Sequence, residues 1–178
     1  MTYEVMRSLA RNGDVLLCRT ERMGFIRIAT GESVQHVAVL IWLIDGLWVF
    51  EFVENVGFQA MPASQWFDGR TNQTIFFGIA PEEVRGKPEV FEAAVRYRNV
   101  KFNEKSRWER FKTLGYGWVS LLKVWASQVT GKRVAVVQKV CSTFAQEIWE
   151  APGYKGFVDT ADPGNFTTLC QSLHIIER

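Results

Sequence analysis

The feature that most constrains this chain is a pair of strand-sized apolar runs separated by Asp45-Gly46. Val34 to Ile44 is apolar and β-branched, and Leu47 to Val53 follows directly. Two such runs around Asp-Gly specify an antiparallel hairpin, because these residues tolerate the positive φ angles of a tight hairpin turn. The pattern extends on both sides. Gly13-Asp14 opens an apolar run from Val15 to Cys18, and Gly57 to Met61 and Thr71 to Ile79 read as further strands. Consecutive strands with short connections build an antiparallel sheet, and its apolar surface must be covered.

The cover is expected from the second half, where the apolar period lengthens. Pro81-Glu82-Glu83 starts one helix, and a longer helical pattern runs from about Ser106 to Gln128, weakened in its middle by Gly115 and Gly117. A third helix begins near Cys141 and runs to Trp149, stopped by Pro152-Gly153. Met1 to Asn12 reads as a short helix or arm. Strands followed by helices give an α+β expectation. No repeat or Pro/Gly/Ser-rich linker interrupts the chain, so its 178 residues are expected to form one domain, 1–178. Thirteen Phe and seven Trp supply enough apolar surface for a core without disulfides or a structural metal.

Cys141 stands out because Phe144, Ala145 and Ile148 fall three, four and seven residues after it, on one helical face. A thiol in the first turn of a helix feels the partial positive charge of unpaired backbone N–H groups, which favours thiolate. A lone cysteine on a helix is ordinarily a small buried apolar residue, so Cys141 needs a partner. His36 opens the most apolar strand, His36 to Trp42, which places an imidazole at the rim of the sheet; capping a strand would be its ordinary role. Together, a thiol and a base at element ends match the logic of nucleophilic acyl transfer.

Four blocks in order carry a resemblance: Gly13-Asp14-Val15-Leu16-Leu17, Gln35-His36-Val37-Ala38-Val39, Trp48-Val49-Phe50-Glu51 with Gly57-Phe58, and Val140-Cys141-Ser142. Together they resemble the permuted, papain-like NlpC/P60 superfamily, in the group related to YiiX and YebB. The histidine precedes the cysteine, the reverse of ordinary papain-like enzymes, as circular permutation requires. The blocks span Gly13 to about Trp149, and Pro163-Gly164 matches a late family turn. The resemblance implies a papain-like antiparallel sheet packed on helices, and a cysteine peptidase or amidase with Cys141 as nucleophile, His36 as general base and Glu51 as orienting acid. It further implies peptide or acyl-amide and ester substrates, cell-wall peptides among them. A lipid-directed acyl hydrolase or acyltransferase, and a binding module that keeps the fold without turnover, are the alternatives.

Strand geometry competes with the family pattern over the acid. A two-residue turn at Asp45-Gly46 places His36 opposite Asn55 and Glu51 opposite Leu40, and a bulge would bring Glu54 to His36 instead. Glu51 has the correct face but is displaced, so Glu54 and Asn55 remain rivals. Gln35 could donate to an oxyanion, but alternation points it away from the His36 face. Tyr116 could line a pocket, although aromatics at helical spacing are usually core. Cys18, Cys170 and His174 are read as structural.

Composition removes other classes. Twenty-one basic residues against nineteen acidic, without a massed basic run, argue against nucleic acid as a partner. Two histidines and no CxxC or HxxxH spacing leave a zinc site short of ligands, so neither metal nor another cofactor is expected. No apolar run is long enough to span a membrane. Three cysteines and an N-terminus without a signal-peptide pattern point to a reducing, cytoplasmic setting; a phage-encoded product released by lysis fits equally. Oligomeric state is not legible.

Overall fold

The apolar runs form a six-stranded sheet in the computed structural model, which describes residues 1–20, 34–53, 56–98, 141–158 and 160–177. The strands are β1 (Val15–Thr20), β2 (His36–Leu43), β3 (Gly46–Val53), β4 (Gly57–Pro62), β5 (Gln73–Ile79) and β6 (Ser172–Ile175). Their spatial order is β4-β3-β2-β1-β5-β6, with antiparallel pairing throughout. Helices α1 (Tyr3–Leu9), α2 (Ala63–Asp68), α3 (Pro88–Arg98), α4 (Cys141–Glu150) and α5 (Asn165–Leu169) complete the described elements. The architecture is α+β.

Both faces of the sheet are covered, which explains why β2 is apolar without a break: Val37 through Ile41 are all fully buried. Val37, Val39 and Ile41 pack with α3, α4 and α5 residues such as Val90, Phe144, Trp149 and Phe166. Ala38 and Leu40 face the other way, against Met6 of α1 and Trp66 of α2. The Trp149 indole N–H donates to the carbonyl of Gly13 at 2.8 Å, tying the far end of α4 to the start of β1. Gly13 has a φ of +94°, and a Cβ there would lie 3.0 Å from Val84 Cγ1. Both conditions call for glycine.

Two expectations need correction. The β2–β3 turn is Ile44-Asp45, closed by the pair Leu43↔Gly46; Gly46 supplies a φ of +138°, and Asp45 Oδ1 accepts from the Trp48 indole at 2.8 Å. No helix starts at Pro81. Val84 and Arg85 N–H donate to its carbonyl, but Gly86 at φ +72° directs its N–H to Asn12 and breaks the turn. The helix begins at Pro88, where a missing N–H costs nothing. The short helices α2 and α5 and the edge strand β6 were not anticipated from the sequence. The helix expected over 106–128, with Gly115, Tyr116 and Gly117, lies outside the described residues, as do Glu54 and Asn55.

Candidate active site

Cys141 is the first residue of the ten-residue helix α4, and burial of Phe144, Ala145, Ile148 and Trp149 sets which way that helix faces. His36 is the first residue of β2, opposite Cys18 on β1. The β2–β3 ladder runs from Leu43↔Gly46 to Val39↔Phe50 and stops there, while β3 continues alongside β4 with Glu51↔Gln59. The backbone of Val37, beyond that last rung, hydrogen-bonds the Cys141 thiol, as does that of Ser142. The His36 ring is also a hydrogen-bond partner of the thiol.

On its other side His36 Nε2 donates to Glu51 Oε2 at 2.7 Å. The shifted turn explains the contact. Moving the hairpin turn by one residue moves each cross-strand partner by two, which keeps the face and changes the neighbour. Extending the observed register puts Glu51 opposite Ala38, diagonal to His36 on the same face and within reach of a long side chain. Because Nε2 carries the proton given to Glu51, Nδ1 is the ring nitrogen left for the thiol.

Glu51 is fully buried and accepts from more than histidine. The Trp66 indole N–H donates to Oε2 at 2.9 Å, and Arg70 Nη2 lies 2.8 Å from Oε1 and 2.9 Å from Oε2. The Arg70 guanidinium in turn sits 4.0 Å over the Trp66 ring. Neither Trp66 nor Arg70 was singled out in the sequence. Trp66 lies in α2 and Arg70 just past its end, and this spacing of four carries no signal that points at Glu51.

The three titrating groups support one charge state. Burial pushes the Cys141 thiol up, but the His36 imidazolium, its hydrogen bond and the Val37 and Ser142 amides outweigh this and lower its pKa. Burial pushes His36 down, and the Cys141 thiolate together with Glu51 lifts it to about 9. Burial also raises Glu51, and His36, Trp66 and Arg70 bring it below the ordinary glutamate value. The three shifts all act toward thiolate, imidazolium and carboxylate in a row, and the His36 side chain is 22% exposed.

Cys170 and His174, read as structural, are not part of this row, and Cys18 lies opposite His36 on β1. Cys18 is buried, and His174 Nε2 lies 3.1 Å from Ser172 Oγ near the opposite edge of the sheet. Burial, then the charge of Asp14, pushes the Cys170 thiol up to about 12. Gln35 Nε2 is a buried donor with no partner among the described residues. Among the described residues, no group of three or more His, Cys, Asp or Glu side chains could hold a metal ion. Nor is any described helix long and apolar enough to cross a membrane.

The chain matches no model of a known family and no curated protein. Among solved structures, its fold is similar to that of the metalloprotein yiiX from Escherichia coli O157:H7. The two align with a TM-score of 0.50 and 14% sequence identity over 83% of this chain and 69% of that chain.

Proposed function

We propose that this chain is a cysteine hydrolase of the permuted papain-like type, cleaving amide or peptide bonds through an acyl-thioester on Cys141. The observation that carries the reading is the position of His36, in hydrogen-bond contact with the Cys141 thiol on one side and 2.7 Å from the buried Glu51 carboxylate on the other. The Cys141 thiolate attacks the substrate carbonyl carbon. The tetrahedral adduct collapses, the C–N bond breaks, and the imidazolium of His36 gives its proton to the departing amine. Neutral His36 then takes a proton from water, whose oxygen attacks the thioester. The carboxylic product leaves, and the thiolate–imidazolium pair is restored. Glu51 holds the ring orientation and stabilises the imidazolium. Free thiols suit a reducing compartment.

A second reading, hydrolysis or transfer of apolar acyl groups, is favoured by an aromatic cluster packed on α4, the helix that Cys141 opens. Phe144, one turn along α4, lies 5.0 Å from Tyr97, 5.8 Å from Phe58 and 5.9 Å from Phe52 between ring centres, and the latter three are only partly buried. The name metalloprotein borne by yiiX raises a resident metal as a further possibility. Among the described residues the donors at the site are Cys141 Sγ and His36 Nδ1, with Nε2 engaged by Glu51. Two donors fall short of the three or four protein ligands that hold zinc, so this donor set does not fit.

Incubation with short peptides and with acyl esters, followed by intact mass analysis, tests the proposal. An acyl adduct that maps to Cys141 and is absent from Cys141→Ala supports it, and the better substrate series selects between the readings. Turnover that survives Cys141→Ala overturns both, and absence of any adduct or turnover leaves the non-catalytic module.

A further inference from the structure

Glu51 has two cationic neighbours, and this division of one carboxylate carries a consequence for the base. Arg70 Nη2 contacts both carboxylate oxygens, including Oε2, the atom that accepts from His36. Arg70 is itself held by stacking on Trp66, whose indole N–H occupies the same Oε2. The carboxylate is fully buried, so water screens little of its charge, and a guanidinium there is permanently cationic. Were His36 the sole cation at Glu51, the full charge would act to retain the ring proton. That would keep the imidazolium from releasing it to a leaving group.

We infer that Arg70 is a positioning residue that sets the protonation range of His36 through Glu51, by neutralising part of the charge that would otherwise hold the ring proton. The charged and titratable groups that the described elements bring to His36 are Cys141 from α4, Glu51 from β3, Cys18 opposite it on β1 and, through Glu51, Arg70 after α2. Arg70 alone among these carries a permanent charge, and it reaches His36 through the Glu51 carboxylate. The inference deepens the hydrolase reading and rests on it for its consequence, the pH range of catalysis.

Histidine-selective NMR of the full chain tests it, because the sequence contains two histidines and His174→Gln assigns the pair. The titration is read in a Cys141→Ala background, which removes the thiolate from the coupling. Arg70→Met is expected to raise the His36 titration midpoint by about one pH unit or more, while Arg70→Lys, which keeps the charge, stays within about half a unit. Should Arg70→Met fail to fold, Arg70→Gln drops the charge and keeps a donor for Glu51. A midpoint that is unmoved or lowered by loss of the charge, or raised equally by Arg70→Lys, overturns the inference. The expected shift in a protein that hydrolyses nothing removes the hydrolase reading and keeps this one; turnover with an unmoved midpoint does the reverse.

Discussion

Cys141 and Cys170 are both partly buried thiols in one fold, and their surroundings drive them in opposite directions. Burial raises the pKa of each. Cys141 opens a ten-residue helix and meets His36, with two backbone amides on its sulfur. Cys170 follows the five-residue α5 as its C-cap, at the end where carbonyls point outward, and feels the negative charge of Asp14. Two of the buried acids, Asp14 and Glu51, differ in the same way. Asp14 accepts from the Arg11 and Ala80 amides and from Arg85, yet burial still wins and its pKa is raised. Glu51 has an arginine too, but adds His36, and its pKa is lowered. Burial and an arginine therefore do not by themselves make a buried group chemically special; the sign and number of its remaining neighbours decide.

The largest expected effect is on thiol reactivity. A thiol with a pKa near 12 is ionised roughly once in 10⁵ at pH 7, and an ordinary thiol to a few per cent. Brief treatment with limiting iodoacetamide and peptide mapping should therefore label Cys141 faster than Cys170 by about a thousandfold or more. Equal rates would erase the contrast.

Next in size is the contribution of the base. In His36→Ala the thiol loses its cation while burial remains, so its pKa rises. Labelling of Cys141 at pH 7 should fall about tenfold or more, and the deficit should close as the pH approaches about 10. Cys170 should not respond. A uniform slowing across the whole pH range would instead point to lost access.

The smallest effects separate the two acids. Glu51→Gln removes an anion from His36, so the ring titrates lower and the upper end of the ion-pair range moves down from about 9. Labelling of Cys141 at pH 8 should drop by about two- to fivefold. Linkage gives the sign for stability. The contribution of Glu51, whose folded pKa is lowered, is present above its ordinary value and lost as the pH falls; that of His36, whose folded pKa is raised, is complete below 6.5 and lost as the pH rises through about 9. Urea unfolding of Glu51→Gln should accordingly show a flatter dependence on pH at both ends. Asp14→Asn should cost about 1–3 kcal/mol by the same measurement and leave Cys141 labelling unchanged. A change in Cys141 labelling in Asp14→Asn would break the separation of the two regions.

Much of the sheet was legible because burial imposes a period. The runs around Val15, Val37, Val49, Gly57 and Thr74 all lie in strands. The stop of α4 was legible from Pro152-Gly153. What escaped were elements whose identity depends on contacts distant in sequence: α2, whose six residues hold Trp66 against the second face, and β6, which exists because β5 offers it an edge. The start at Pro81 misled because its acidic first turn resembles a helix N-terminus, while Gly86 diverts the backbone to Asn12.

At the site, local sequence was sufficient to put Cys141 at a helix start and His36 at a strand start, since both depend on neighbours within a few residues. It also determined that Glu51 shares a face with His36, because parity survives a one-residue move of the turn. Which acid meets the imidazole was decided only by tertiary structure. The turn fell at Ile44-Asp45, the β2–β3 ladder ended at Val39↔Phe50, and α2 brought Trp66 and the chain after it brought Arg70 onto the same carboxylate. Pairing register and the docking of one element on another are set by the sum of many distant contacts, and no short stretch of sequence contains that sum.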